Sequence, residues 1–396
     1  MEQAIQQIVG NPVGLEKLRV LLDSRKIFDG GIGVYIQNLI FGIKYNNQIS
    51  LTILVTKEDY RRLKLTKPSI LDGISVEIDN SKLYSLDEYL FLGKRINKSK
   101  YDLFHSPHWT LPFGLKIPSI ITIHDLIHIK QPEKFFYPFV AKNLIKTALK
   151  RTKKVITVSQ SSANDLLANF KKELLAKKLE IVPNSLKPEY SKVIKKNNFL
   201  EKKFGLKQNY LLAVFSNTKP HKCIKELIYI FDKLKKTSNI VPENLQLVLV
   251  GMGIERLAEN NNLLNYIEDK EDLKLLGKVP DEDLLFLYNQ ADALIVPSKA
   301  EGFCLPVLEA HSQGTPVIVR PVPAILELLT EHDTVASGFS GKELEKAVEN
   351  FYGKLKNKSK NEQEQDCESI RSKAMSYDCF ENGKNVVELY LSIIKK

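Results

Sequence analysis

Short runs of β-branched and apolar residues alternate with longer amphipathic stretches along nearly the whole chain, and near its middle the alternation stops and starts afresh. In the first half the apolar runs are Arg19 to Asp23, Leu51 to Val55, Tyr101 to His105, Ser119 to His124, Lys154 to Ser159 and Glu180 to Pro183. Runs this short and this continuous predict strands buried on both faces. Between them Gly33 to Lys44, Tyr137 to Arg151 and Ser161 to Phe170 carry helical spacing. Strand followed by helix, repeated, makes a parallel sheet covered on both sides. After the polar, lysine-rich stretch Asn197 to Lys207 a second series begins, with strands predicted at Tyr210 to Phe215, Leu245 to Val250, Leu273 to Leu276, Ala293 to Val296 and Pro316 to Val319. Its helices are predicted at Lys222 to Lys236, Gly253 to Asn262, Asp281 to Gln290 and Pro306 to Ser312. Lys354 to Glu368 reads as a solvated connection, and Glu381 to Ile394 as a closing amphipathic helix. The fold class is therefore α/β, two doubly wound Rossmann-like domains facing a cleft. The expected division is residues 1–200, 201–375 and a C-terminal helix, 376–396, that crosses back to the first domain.

Composition narrows the setting. No apolar run reaches the roughly 18 residues of a membrane-spanning helix, and Met1 to Gly10 lacks the basic flank and apolar stretch of a leader. The four cysteines stand far apart without paired spacing, so no disulfide framework or zinc site is expected and a cytoplasmic setting fits. Charge divides unevenly: residues 1–200 hold 32 Lys and Arg against 18 Asp and Glu, whereas the remainder holds 26 against 29. The basic half is read either as a solvated surface or as one that meets an anion, such as a membrane leaflet, a phosphate-linked substrate or nucleic acid. A nucleic-acid role lacks a recognition signature, a zinc finger or interleaved aromatics.

Ligands of open α/β sheets sit outside the carboxyl ends of the strands, so motifs there carry the functional reading. Gly31 and Gly33 follow the first strand and open a helix, where backbone N–H groups can cradle a phosphate. They are not a dinucleotide fingerprint, because Ile36 stands where a third glycine would be. His124 ends the strand Ser119 to Ile123 and is expected in the cleft, while His105, His108 and His128 are read as structural. His221 and Lys222 enter a helix, where cations oppose the dipole unless an anion lies between them. The most specific pattern is Glu301-Gly302-Phe303-Cys304-Leu305-Pro306-Val307-Leu308-Glu309. It sets two carboxylates, with seven residues between them, around backbone donors at Phe303, Cys304 and Leu305, with Glu309 on the exposed beginning of a helix. Asp281, Glu282 and Asp283 are taken as helix-capping acids, and no carboxylate-histidine cluster pointing to a metal is evident.

These motifs resemble the family-four retaining glycosyltransferases, "glycosyl transferases group 1", over nearly the whole chain, from Arg19 to about Tyr390. The resemblance rests on Gly277-Lys278-Val279, Pro297-Ser298, the E-x7-E pattern of Glu301 and Glu309, and Gly314-Thr315-Pro316-Val317. Gly31 to Tyr35, His124-Asp125-Leu126, Val182-Pro183-Asn184 and Pro220-His221-Lys222 are similar to landmarks in the same order. It implies a GT-B fold with an acceptor-binding first domain, a nucleotide-sugar-binding second domain, and retaining transfer of a hexose with no metal or other cofactor. His124, Glu301 and Lys222 are the implied catalytic residues. Gly31, Gly33, His221, Lys222, Val279, Phe303, Cys304, Leu305 and Glu309 are implied to bind the donor. The segments look most like the mannosyltransferase branch, so GDP-mannose is the first expectation for the donor, with UDP-glucose, UDP-N-acetylglucosamine or an activated deoxysugar open. The implied acceptor is a glycan or lipid-linked glycan, met at an anionic membrane surface by the basic half; a non-catalytic scaffold of the same fold is the contrasting reading. Cys304 stands where the family usually has glycine, His221 where arginine is common, and Ser185 where glycine follows the asparagine.

Overall fold

The computed structural model describes residues 16–132, 135–192, 194, 197–251, 253–255 and 270–394. The first seven strands are β1 (Leu18–Asp23), β2 (Ile49–Val55), β3 (Ser75–Ile78), β4 (Leu103–Ser106), β5 (Ser119–Ile123), β6 (Lys154–Thr157) and β7 (Leu179–Ile181). They form one parallel sheet in the order β3-β2-β1-β4-β5-β6-β7. The second sheet comprises β8 (Tyr210–Phe215), β9 (Gln246–Gly251), β10 (Leu273–Gly277), β11 (Ala293–Val296), β12 (Val317–Val319) and β13 (Thr334–Val335), in the order β10-β9-β8-β11-β12-β13. It too is parallel throughout. Each order reverses beside its first strand, at β1/β4 and at β8/β11. Those are the switch points where a doubly wound sheet opens a crevice.

β3 and β13 lie at sheet edges, and neither was legible as an apolar run. The side chains of β3 are half-buried or exposed, and β13 is two residues long. The central strands are the opposite case: β4, β5, β8, β9 and β11 are buried almost throughout.

The helices that matter for the site are α1 (Gly30–Ile43), α2 (Lys57–Thr66), α3 (Tyr137–Arg151), α4 (Gln160–Asn169), α5 (Ile224–Thr237), α6 (Asp281–Gln290), α7 (Leu305–Ser312), α8 (Gly341–Lys356), α9 (Lys360–Met375) and α10 (Cys379–Ile394). The stretch Lys354 to Glu368 corrects the expectation of a solvated connection, because most of it is the end of α8 and the first turns of α9. Its polarity is that of a surface helix rich in good helix formers, opened by a capping box between Ser359 and Glu362 and anchored by buried Ile370 and Ala374. The helix expected over Gly253 to Asn262 falls mostly outside the described residues.

α10 returns to the first domain and crosses α1 at two glycines. A Cβ on Gly42 or on Gly383 would collide with the backbone opposite, so side-chain-free positions set the closeness of the crossing. Further along α10, Tyr390 is fully buried and its hydroxyl lies 2.6 Å from His105 Nδ1, while His105 Nε2 meets Thr122 Oγ1 at 2.8 Å. His105 is thereby a structural residue that fastens α10 to β4.

Candidate active site

The carboxyl ends of the two sheets face each other at close range. Behind β1, a Cβ on Gly30 would meet Ser216 Cβ, just past β8, at 3.4 Å. Behind β11, a Cβ on Gly302 would stand 2.5 Å from His124 O. The Gly302 carbonyl accepts the Ser159 hydroxyl at 2.8 Å, and Ser162 Oγ donates to His124 O at 2.8 Å. Loop 301–303 of one half thus rests against the strand end that carries His124 in the other.

Lys222 ends a single 3₁₀ turn, Pro220–Lys222, after β8, and Glu301 sits in the loop after β11. The structure brings them into direct contact: Lys222 Nζ donates to Glu301 Oε1 at 2.7 Å, and each side chain is only 11% exposed. Burial works against the ammonium charge, and the Glu301 carboxylate overrides it, so the Lys222 pKa stays above its usual value. The anion that the cations at this helix entry call for is therefore supplied by the protein itself. His221 does not share that charge. Burial, then neighbouring Lys222, pushes its imidazole below the usual range, so it stands neutral beside the pair.

The next residues turn into α7 through Cys304, whose φ of 78° is in the left-handed region. That conformation costs a non-glycine residue roughly 1–2 kcal/mol and accounts for the usual preference for glycine at this position. Burial raises the Cys304 thiol pKa well above its usual value, leaving a neutral group. No protein acceptor among the described residues takes the N–H groups of Phe303, Cys304 and Leu305. They crown the α7 N-terminus, where the dipole favours an anion or a hydroxyl oxygen. The Phe303 ring is buried and meets Tyr377 edge-on, 6.1 Å between centroids. Glu309 departs from the exposed position expected of it: it is buried, and Tyr288 donates its hydroxyl to Oε2 at 2.8 Å. Burial raises its pKa, although Lys187 and the Tyr288 bond act the other way. Val279 lies beyond β10, half-buried against the same core.

In the first domain His124 is held edge-on to Tyr35, 4.8 Å between centroids, with Nε2 3.1 Å from Pro107 O. A carbonyl can only accept, so Nε2 carries the proton. Burial lowers the imidazole pKa to about 4, which makes it neutral and leaves Nδ1 an acceptor. Gly31 is exposed in the first turn of α1 with open space around its Cα. Gly33 requires a correction. Its N–H already donates to Asp29 O at 3.0 Å, and a Cβ there would lie 2.7 Å from Ile27 O. It is a packing glycine, with no amide left for a phosphate.

Several groups at the cleft were not evident from spacing. Asp281 opens α6, with Glu282 and Asp283 in the same first turn as expected, but makes no capping hydrogen bond; it joins the domains, accepting from Lys187 at 2.7 Å and Lys67 at 3.0 Å. Despite burial, those two ammonium groups lower its pKa to about 2. Arg320, fully buried at the end of β12, donates to Pro297 O at 2.6 Å and braces the loop that leads to Glu301. The topology also assembles a carboxylate-histidine group that the sequence did not reveal: Asp23, Glu88 and His108 bring ligand-type atoms within 4.8 Å of one another. Arg25 is lodged there, bound to Asp23 at 2.6 Å and Glu88 at 2.7 Å, so the carboxylates are already neutralised.

Comparison with known proteins agrees with this geometry. Residues 29–190 match the family "Glycosyltransferase Family 4" and residues 196–367 match "Glycosyl transferases group 1". The O-antigen chain mannosyltransferase RfbU of Salmonella typhimurium is 28% identical over 292 residues, spanning 72% of this chain and 76% of that one. The O-antigen chain mannosyltransferase B of Escherichia coli is 29% identical over 249 residues, 59% of this chain and 61% of its own length. Among solved structures, Anabaena HepE in complex with UDP and glucose superposes with a TM-score of 0.71 at 18% identity, covering 95% of this chain and all of that one. WaaG, a glycosyltransferase involved in lipopolysaccharide biosynthesis, gives 0.68 at 15% identity over 94% and 99%. Because the two family matches follow each other along a pair of sheets that such enzymes share, this chain belongs to the group 1 glycosyltransferases and has the GT-B fold.

Proposed function

We propose that the protein is a metal-independent, retaining mannosyltransferase, taking GDP-mannose as donor and a glycan or lipid-linked glycan as acceptor in bacterial polysaccharide assembly. The observation that carries this reading is the buried Lys222–Glu301 pair beside the amides at the α7 N-terminus that no acceptor among the described residues takes, with neutral His124 across the cleft. When the anomeric C–O bond to the diphosphate breaks, charge grows on the leaving phosphate. Lys222 turns from Glu301 toward that phosphate, helped by the amide of Gly31. Glu301, released, accepts from hydroxyls of the sugar, as does His124 Nδ1, and Glu309 holds the ribose. The new bond forms on the same face, and the acceptor proton passes to the departing phosphate oxygen. Loss of one such donor at a developing oxyanion slows a reaction roughly a hundred- to a thousandfold. The names of the bacterial relatives support mannose as the sugar. A UDP-sugar donor is the second reading, favoured by the UDP-glucose complex of HepE.

An anionic bilayer as the place of action is supported by one face of α3. Phe135, Phe136, Phe139 and Val140 are exposed at its start, and Lys142, Lys146 and Lys150 continue the face along its length. Exposed aromatics beside lysines suit an anionic interface. Among the described residues no helix is long and apolar enough to cross a membrane.

The test is a thermal-shift series with GDP-mannose, UDP-glucose and UDP-N-acetylglucosamine, followed by transfer assays in EDTA. GDP-mannose is expected to give the largest shift, and transfer is expected to survive chelation and to retain the anomeric configuration. A larger shift with a UDP-sugar overturns the mannose assignment; loss of transfer in EDTA overturns the metal-independent route. Sedimentation with phosphatidylserine vesicles, abolished by high salt, checks the bilayer reading.

A further inference from the structure

We propose that Tyr84, Trp109 and His128 form a stepped aromatic platform that receives a pyranose ring of the acceptor; this rests on the glycosyltransferase reading above. The three rings come from three separate segments. Tyr84 lies between β3 and Glu88, Trp109 follows β4, and His128 belongs to the short helix Ile127–Lys130 after β5. Tyr84 and Trp109 stack with centroids 5.4 Å apart and planes 19° off parallel; Trp109 and His128 stack at 5.3 Å and 14°. Spacing of that size between near-parallel rings means they are slipped, so each leaves part of a face uncovered. Tyr84 is 51% exposed, so the outer ring of the stack is open to solvent.

The position is the one a ligand of this sheet would occupy. Trp109 and Lys26 stand just beyond the carboxyl ends of β4 and β1, the switch point of the first domain, and Lys26 Nζ lies 5.0 Å from the Tyr84 ring centre. Trp109 is two residues past the Pro107 carbonyl that binds His124, and His128 is four residues past His124 itself. The middle ring and one end of the platform are therefore tied to the residue facing the donor sugar.

The platform is also held under strain. Tyr84 has a φ of 62°, left-handed for a residue with a large side chain. Its N–H donates to Glu88, which pairs with buried Arg25, which in turn forks onto Asp23 and donates to Ser81 Oγ at 2.9 Å. An ion network buried beneath an exposed, strained tyrosine fixes that ring's aim, and such strain gathers at working sites. His128 closes the other end of the stack, its Nε2 out of contact with solvent and without a hydrogen-bond partner among the described residues. Flat rings open at the Tyr84 end suit a sugar ring, whose C–H face lies on the π surface. They do not suit a bare lipid phosphate.

Trp109 is the chain's single tryptophan, so its fluorescence reports on this platform alone. The experiment titrates the full chain, saturated with GDP or UDP according to which shifts its melting, with methyl α-mannopyranoside, mannotriose, methyl α-galactopyranoside and sugar-free farnesyl pyrophosphate. A saturable change with at least one pyranoside is expected, and none with farnesyl pyrophosphate. Tyr84→Ala and His128→Ala are expected to raise the half-saturating concentration about tenfold, and Tyr84→Phe to restore it, while the melting shift given by the nucleotide is kept. Tyr45→Ala, an exposed tyrosine elsewhere, serves as the unaffected control. No response to any pyranoside, or a response to farnesyl pyrophosphate alone, overturns the platform. Absence of any shift by nucleotides or nucleotide sugars instead overturns the glycosyltransferase reading on which it rests.

Discussion

The Lys222–Glu301 contact makes a prediction that separates a resting ion pair from two independent binding groups. At 2.7 Å the gross attraction is roughly 6 kcal/mol with an effective dielectric near 20, and desolvation of two nearly buried charges offsets much of it. Removing one partner strands the other, which typically costs about 3–5 kcal/mol. Glu301→Gln and Lys222→Met should each destabilise the protein by about that much in urea unfolding followed by circular dichroism. The double variant should lose well under the sum, with a coupling of up to about 3 kcal/mol. GDP or UDP supplies the counter-charge that Glu301→Gln lacks. Each should therefore raise the melting temperature of that variant more than that of the unaltered protein, while transfer by the variant is slowed. Single losses that add to within about 0.5 kcal/mol, or a smaller nucleotide shift in Glu301→Gln, would refute the pairing argument.

Gly33→Ala should destabilise by about 1–3 kcal/mol, because the added Cβ meets Ile27 O at 2.7 Å, whereas Gly31→Ala, with open space, should leave the unfolding midpoint nearly unchanged. His105 and His124 have pKa values lowered by burial from 6.5 to about 3 and about 4. The unfolded chain then binds protons that the folded chain refuses, so their contribution is whole above pH 6.5 and fades as pH falls toward 3; a stability that stays flat across that window contradicts both assignments. Asp281, lowered from 3.8 to about 2, steadies the domain contact above pH 3.8 and loses that effect as pH falls through 2. Asp281→Asn should accordingly increase proteolytic nicking between the domains at neutral pH. Gly383→Val should loosen α10 from α1, detected as faster cleavage near residues 376–380.

Much of this protein is written in one dimension. Apolar runs such as Leu211 to Val214 and Ile120 to Ile123 can only be interior strands, and their alternation with amphipathic segments dictates a doubly wound sheet made twice. The Glu301-to-Glu309 pattern carries its chemistry in its spacing, because the proline that opens α7 and the residues around it lie next to one another in the chain. Edge strands β3 and β13 were not legible, since half-exposed or two-residue strands bury too little to mark the sequence. α9 was misread for a related reason: its stability comes from a capping box and a few anchors, with little apolar periodicity to detect. Tertiary structure alone decided what lies across the cleft. It placed Lys222, 79 residues before Glu301, against that carboxylate, and spent the Gly33 amide inside α1. It also buried Glu309 under Tyr288, turned Asp281 toward lysines of the other domain, and stacked Tyr84, Trp109 and His128. Local periodicity records which face of an element is buried; partners brought together by chain crossings leave no such record, because their energies depend on distances that only the folded sheets set.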